Sequence, residues 1–114
     1  MIKVSIYLVR RPGMSPGEFV DHWKNQHGPL VLSLPEFTSR VRRYTQQLVL
    51  RDLPAEVPVL PYDGVAELWV DKPEDIFELL QSPVYEQKMI PDEEKFLDRS
   101  KTVMLLTTEH NVID

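Results

Sequence analysis

Residues 2–30 read IKVSIYLVRRPGMSPGEFVDHWKNQHGPL, and this stretch decides the fold. Residues 2–9 alternate, with β-branched side chains prominent on one face, which is typical of a β-strand. The proline and glycine of residues 11–14 indicate a turn. A helix is predicted over residues 16–27, so the chain begins with a strand, a turn and a helix.

The predicted helix has signals at both ends. Ser15 is a favoured N-cap residue, the next residue is a proline, and Glu18 completes a capping box. Gly28 and Pro29 should end the helix, because proline has no amide hydrogen and clashes with the preceding turn. The sequence therefore predicts a break at Gly28, with a short helical piece allowed over residues 29–34.

Three more strands and a second helical region are predicted further along the chain. In order, they are a strand over 40–50, a proline-containing loop over 51–62, a strand over 65–70, a helix from Pro73 that restarts at Pro83 and at Pro91, and a strand over 102–109. This order predicts a ferredoxin-like α+β fold with the βαββαβ pattern and one four-stranded antiparallel sheet. Both helices would cover one face. We expect a single domain over residues 1–114 that forms a homodimer, sheet to sheet, through a largely apolar second face.

Composition argues against several functional classes. The chain has 114 residues, a formal net charge of −5 and no cysteine. A nucleic-acid-binding surface needs a basic face, and thiolate metal sites, disulfides and cysteine nucleophiles need cysteine. No stretch resembles a signal peptide, a membrane span, a phosphate-binding glycine loop or a G-x-S-x-G elbow. We expect a cytoplasmic protein that binds neither nucleic acid nor membranes.

Two of the three histidines, His22 and His27, lie five residues apart on the first predicted helix. At about 100° per residue, His27 falls within the apolar stripe of Phe19 and Trp23, whereas His22 lies on its flank. A shared metal ion on a helix prefers a spacing of four residues, so we expect no metal ion here. We also expect no other cofactor. His22 should be exposed. His27 should face the sheet, either as a core histidine or as a general acid or base.

Other side chains could complete a pocket beneath the helices. The candidate substrate-binding residues are Trp23, Trp69, Phe77, Tyr85, Tyr62 and Asp63. For any one of the aromatic residues an ordinary core position is favoured, and for the aspartate, next to a glycine, a turn is favoured. Tyr44 has a hydroxyl that could orient a substrate. Glu67 and Trp69 share one strand face, which points either under the helices or toward a dimer partner, where Arg43 could pair with Glu67.

Several of these positions also carry a family resemblance. The run Phe19-x-x-His22-Trp23-x-x-x-His27-Gly28-Pro29-Leu30, followed by Tyr44-Thr45-Gln46, resembles the EthD-type family of dimeric α/β-barrel proteins. Residues 63–69 and 91–98 resemble the fungal branch of that family. The resemblance covers nearly the whole chain. It implies a ferredoxin-like monomer that dimerises through its sheet and holds a pocket between the sheet and the helices.

The resemblance also implies small-molecule chemistry. The wider superfamily includes polyketide cyclases, isomerases, cofactor-free oxygenases and haem-binding enzymes, and its helix histidine corresponds to His27. We expect a cofactor-free lyase, cyclase or isomerase that acts on an aromatic or polyketide-derived substrate by decarboxylation, dehydration or cyclisation. His27 would be the general acid or base, and Tyr44 would orient the substrate. The alternatives are a non-catalytic ligand-binding accessory protein and a haem- or oxygen-dependent monooxygenase.

Overall fold

The computed structural model describes residues 1–114 as a four-stranded sheet covered by helices. The elements are, in chain order, β1 (Ile2–Leu8), α1 (Pro16–His22), a first π turn (Trp23–His27), α2 (Gly28–Leu32), α3 (Pro35–Thr38), β2 (Val41–Leu48), β3 (Gly64–Val70), α4 (Pro73–Leu80), a second π turn (Tyr85–Met89), α5 (Ile90–Phe96), a 3₁₀ turn (Arg99–Lys101) and β4 (Val103–Thr107). The strand order is β2-β3-β1-β4, and all neighbouring strands are antiparallel. The predicted ferredoxin-like α+β fold is confirmed.

The sheet has one face under the helices and one open face. In the central pair of strands, Val4 lies opposite Leu68, and burial alternates along β3. Because successive side chains of a strand point to opposite faces, Glu67 and Trp69 lie on the open face. Glu67 forms an ion pair of 2.8 Å with Lys3, and the guanidinium of Arg43 lies 4.6 Å from the centre of the Trp69 ring. The open face is therefore mixed in polarity rather than largely apolar.

Trp23 fills the core next to the start of β3. Its side chain is 1% exposed, and its ring centre lies 5.5 Å from that of Phe19. The indole ring lies against Gly64, where a Cβ atom would be 2.6 Å from Cζ3 of the indole. Only glycine lets a backbone approach a ring this closely. Gly64 is therefore needed for the position of Trp23.

The predicted helix end at Gly28 is wrong. The helix passes from α1 through the first π turn into α2, and Gly28 has helical dihedral angles of φ −55° and ψ −52°. Its amide donates a hydrogen bond to the carbonyl of Trp23, five residues earlier. Pro29 follows directly, and its ring and missing amide hydrogen do not fit a regular α-helical ladder. We attribute the wider π turn to this proline.

The predicted restart of the second helix at Pro91 is wrong for the same reason. The second π turn runs without a break into α5, and the amide of Ile90 donates to the carbonyl of Tyr85. Pro91 is the second residue of α5, as Pro29 is the second residue of α2. A proline inside a helix is thus accommodated in the same way in both halves of the fold. None of the helices is long and apolar enough to cross a bilayer.

Candidate active site

Two histidines and one aspartate meet between the helices. Nε2 of His22 lies 2.9 Å from Oδ1 of Asp92, and Nδ1 of His27 lies 2.7 Å from Oδ2 of the same residue. All three side chains are 10% exposed. Because an ionised carboxylate only accepts hydrogen bonds, the nitrogen that faces it in each ring carries the hydrogen. Asp92 therefore fixes the orientation of both imidazoles.

The prediction of an exposed His22 is wrong, and the first π turn explains the difference. In a regular α-helix, residues five apart are separated by about 140° around the axis. A hydrogen bond from residue i+5 to residue i instead brings such residues close to the same face. His22 ends α1 and His27 ends the π turn, so both point toward Asp92 on α5.

Phe96 packs against both imidazole rings. Its ring centre lies 4.6 Å from that of His22, in a stacked arrangement, and 5.1 Å from that of His27, in a tilted one. Phe96 itself is completely buried. An apolar wall of this kind excludes water and strengthens the hydrogen bonds to Asp92.

A cavity of about 360 Å³ lies between the helices and the sheet. Its walls are mostly apolar, and its polar side chains are His27, Tyr44, Tyr85, Glu93, Arg99 and Thr102. Nε2 of His27 makes no hydrogen bond within the chain, whereas Nδ1 is occupied by Asp92. His27 therefore borders the cavity with one ring nitrogen free to accept a proton.

Tyr44 contributes a second reactive group to the cavity. Its hydroxyl oxygen accepts a hydrogen bond of 3.0 Å from Nε2 of Gln46, which also donates to the carbonyl of Trp23 at 3.0 Å. Burial raises the pKa of the Tyr44 hydroxyl, against a smaller opposite effect of the Gln46 hydrogen bond. The hydroxyl is therefore protonated at neutral pH, and its hydrogen is available to a molecule in the cavity.

Tyr85, Glu93 and Arg99 form a separate polar group in the same cavity. The Tyr85 hydroxyl donates to Oε2 of Glu93, and Nε of Arg99 donates to Oε1 at 3.1 Å. Burial, followed by the charge of Glu93, raises the pKa of Tyr85 well above its usual range. Tyr85 thus stays neutral and acts as a hydrogen-bond donor to Glu93.

Comparison with known proteins identifies the family. The family model described as the EthD domain matches residues 11–100. The chain belongs to the EthD family. A protein of Metarhizium robertsii named conidial pigment biosynthesis dehydratase EthD is 26% identical to this EthD chain. The match covers 93% of this chain and 80% of that protein.

The solved structures that are similar to this EthD chain include the following two. An ethyl tert-butyl ether d (ethd) family protein of Bacillus halodurans matches with a TM-score of 0.66 at 17% identity, covering 96% of this chain and 100% of that one. A dimeric protein of unknown function from Bacteroides fragilis, with a ferredoxin-like fold, has a TM-score of 0.64 at 13% identity, covering 93% of each chain. At these identities the likeness supports the ferredoxin-like fold.

In this EthD chain, four of the predicted site residues line one cavity: Trp23, His27, Tyr44 and Tyr85. Two others lie elsewhere. Trp69 is on the open face of the sheet, because the alternation of β3 points its even-numbered residues toward the helices. Phe77 is 47% exposed on the outer side of α4, while Ile76 points inward. The expectation that Trp69 and Phe77 line the cavity is therefore wrong.

Tyr62 and Asp63 also lie away from His27, beside a more open groove on the other side of β3. The Tyr62 ring packs 5.4 Å from the Tyr7 ring. Asp63 accepts hydrogen bonds from the amide of Arg10 at 2.8 Å, from Nη1 of Arg10 at 2.5 Å and from Nη2 of Arg51 at 3.2 Å. Burial raises the pKa of Asp63, but these hydrogen bonds outweigh it and the pKa lies below its usual value.

Asp63 should therefore stabilise the fold in a pH-dependent way. Its pKa is lower in the folded chain than in the unfolded chain, so its contribution is present near neutral pH and is lost as the pH falls. Replacing Asp63 by asparagine should reduce the free energy of unfolding by about 1–3 kcal/mol near pH 7. Urea denaturation should show this difference narrowing below about pH 4.

A matched control is available in the adjacent loop. Asp52 is exposed and makes no ion pair, so Asp52→Asn should leave stability nearly unchanged. A loss of stability in Asp63→Asn that is equal at every pH would contradict the electrostatic explanation.

Proposed function

We propose that this EthD-family protein is a dehydratase that removes water from a polyketide-derived ring carrying a ketone and a β-hydroxyl group. The observation that carries the proposal is the His27–Asp92 hydrogen bond of 2.7 Å beside a mostly apolar cavity. The name of the Metarhizium robertsii relative, a dehydratase of pigment biosynthesis, supports the same reaction. Such an elimination needs a base, a hydrogen-bond donor at the ketone and protection from bulk water.

His27 is the general base of the proposed reaction. Its Nδ1–H donates to Asp92, so the lone pair of Nε2 can take a proton from the carbon next to the ketone. The carboxylate of Asp92 then stabilises the imidazolium that forms. His22 occupies the other oxygen of Asp92 and holds the carboxylate in the orientation that His27 needs.

Tyr44 stabilises the developing enolate. Its hydroxyl hydrogen is directed to the ketone oxygen, while Gln46 keeps the hydroxyl oxygen in place. The C–O bond to the β-hydroxyl then breaks, and the His27 imidazolium returns its proton to the leaving oxygen. One water molecule and one C=C bond are formed, and the ring becomes aromatic when the ketone tautomerises to a phenol.

We further propose that the protein works as a homodimer formed by the open sheet faces. Val103 and Leu105 of β4 are 50% and 52% exposed, and they lie on this face opposite Tyr7 and Ser5 of β1. The structurally similar protein of Bacteroides fragilis is dimeric, which supports the proposal. Sedimentation of the purified protein should give the mass of two chains.

The reaction is tested with a panel of cyclic β-hydroxyketones that can aromatise. Mass spectrometry should detect the loss of one water molecule, and absorbance should report the new aromatic ring. Turnover should persist after dialysis against EDTA and in the absence of oxygen, since the proposed residues need neither metal nor oxidant. Activity that depends on oxygen or added haem would contradict the proposal and favour a monooxygenase.

Replacement of Asp92 by alanine should lower kcat by about 100-fold, because His27 loses the partner that fixes its tautomer. The small cavity left by this change should admit formate, and added sodium formate should restore part of kcat. Sodium chloride at the same ionic strength is the control for a general salt effect. An Asp92→Ala enzyme that remains folded and keeps normal kcat would contradict the role of Asp92.

A further inference from the structure

We propose that Tyr85, Glu93 and Arg99 form a second polar subsite in the cavity, which binds a neutral ring hydroxyl group and disfavours a carboxylate. The inference deepens the proposed function, because it names a feature of the substrate that the dehydratase would accept. None of these three residues takes part in the proton transfers assigned to His27 and Tyr44. Their arrangement nevertheless leaves specific hydrogen-bonding capacity facing a mostly apolar cavity.

Glu93 is the centre of this subsite. Its side chain is 12% exposed, and each oxygen receives one hydrogen bond, from Tyr85 and from Nε of Arg99. A carboxylate has about four acceptor positions, so roughly two remain for a ligand. Nη1 and Nη2 of Arg99 make no hydrogen bond within the chain, so they remain available as donors.

The free acceptors and donors match a hydroxyl group. A phenolic or enolic hydroxyl can donate its hydrogen to Glu93 and accept a hydrogen bond from Arg99. A carboxylate ligand only accepts hydrogen bonds, and it would face the negative charge of Glu93. The charges of Glu93 and Arg99 cancel, so the subsite offers no net positive charge to an anion. A purely apolar ligand would cover the free acceptor positions of Glu93 and the free donors of Arg99 without forming hydrogen bonds to them.

The position of Glu93 relates this subsite to the proposed catalytic residues. Glu93 follows Asp92 directly in α5, and adjacent helical residues point about 100° apart. The same turn of α5 therefore carries Asp92, which is hydrogen-bonded to His27, and Glu93, which lines the cavity. The recognised hydroxyl and the reacting carbon are thereby held at a fixed separation. A ring that carries hydroxyl groups and no carboxylate can lose water but cannot be decarboxylated. The subsite therefore favours dehydration over decarboxylation as the reaction.

The subsite is tested by fluorescence titration with three naphthalene probes. They are 2,7-dihydroxynaphthalene, 2-methoxynaphthalene, which has no donor hydrogen, and 2-naphthoic acid. Glu93→Gln should weaken binding of the diol by about 10-fold, because the ligand hydroxyl then meets a neutral amide in place of a charged acceptor. Binding of 2-methoxynaphthalene should change by less than about twofold. Binding of 2-naphthoic acid should instead become tighter, because the negative charge of Glu93 no longer offsets the positive charge of Arg99.

Two further variants keep the test decisive. Glu94 is exposed and makes no hydrogen bond, so Glu94→Gln should leave all three affinities unchanged. Arg99→Met, at a surface position, should also weaken the diol and provides a second measurement if Glu93→Gln does not fold. The proposal is overturned if Glu93→Gln changes the affinities for all three probes equally. It is also overturned if the wild-type protein binds 2-naphthoic acid more tightly than the diol.

The test also separates the subsite from the proposed reaction. His27→Ala should abolish most turnover and keep the Glu93-dependent preference for the diol. If His27→Ala abolishes turnover but the preference for the diol does not depend on Glu93, the subsite alone is rejected. If the preference depends on Glu93 but His27→Ala keeps its turnover, the dehydratase mechanism alone is rejected.

Discussion

Replacement of His27 by alanine should lower kcat for water elimination by at least about 100-fold, because the variant has no group that can take the proton next to the ketone. Asp92 and Tyr44 would remain in place, but Asp92 does not line the cavity, and the buried Tyr44 hydroxyl stays protonated. The measurement is steady-state turnover of the best substrate from the β-hydroxyketone panel, for wild type and variant at the same pH.

The loss should appear mainly in kcat. His27 acts on a proton that moves only during the reaction, whereas the apolar walls of the cavity supply most of the binding. The dissociation constant of 2,7-dihydroxynaphthalene should therefore change far less than kcat. His110 is exposed near the C-terminus, and His110→Ala controls for the removal of a histidine as such. Near-normal turnover in a folded His27→Ala protein would remove this mechanism.

The fold was predictable because its signals are local. Alternation in β1, the capping box at Ser15 and the sequence of six elements were sufficient for the ferredoxin-like fold. The family resemblance rested on the first helix together with residues 44–46, 63–69 and 91–98, and the EthD match confirms the family. The face of the sheet that carries Trp69 was not predictable, because alternation fixes the relative orientation of side chains and not which face meets the helices.

The site was only partly predictable, and the reason is the period of the helix. With 3.6 residues per turn, His22 and His27 are predicted to point to different sides of the helix. A proline within a helical pattern is likewise interpreted as a break. The π turns change both conclusions, because they carry the helix past each proline and bring residues five apart close to the same face. Gln46 of β2 also donates to the Trp23 carbonyl inside the first π turn. A five-residue histidine spacing just before Gly-Pro was a usable signal for that turn.

Asp92 was missed for a related reason. In the sequence it is one of several acidic residues after Pro91, a pattern that is typical of a helix start on the surface. The structure continues the helix through Pro91 and buries Asp92 against the two histidines. A buried carboxylate needs partners, so two inward-facing histidines without an assigned partner were the available clue.

Replacement of Gly64 by alanine should reduce the free energy of unfolding by about 2–3 kcal/mol, because the new methyl group overlaps a buried ring. The added Cβ atom would lie 2.6 Å from Cζ3 and 3.0 Å from Cη2 of Trp23. The ring cannot move aside freely, since it is fully buried against Phe19 and its backbone carbonyl is held by Gln46. Urea denaturation at one fixed protein concentration measures the effect without interference from dimerisation.

Gly28 provides the matched control. A Cβ atom there would lie 3.5 Å from Nε2 of Gln46 and 3.6 Å from the Trp23 carbonyl oxygen, which are ordinary contacts. Gly28→Ala should therefore be neutral or stabilising by up to about 1 kcal/mol, since the residue is helical. Trp23→Phe, with its smaller ring, should relieve the overlap, so the double variant with Gly64→Ala should lose less stability than the two single changes added together. If the losses of stability from the two single changes simply add in the double variant, the destabilisation by Gly64→Ala does not arise from the contact with Trp23.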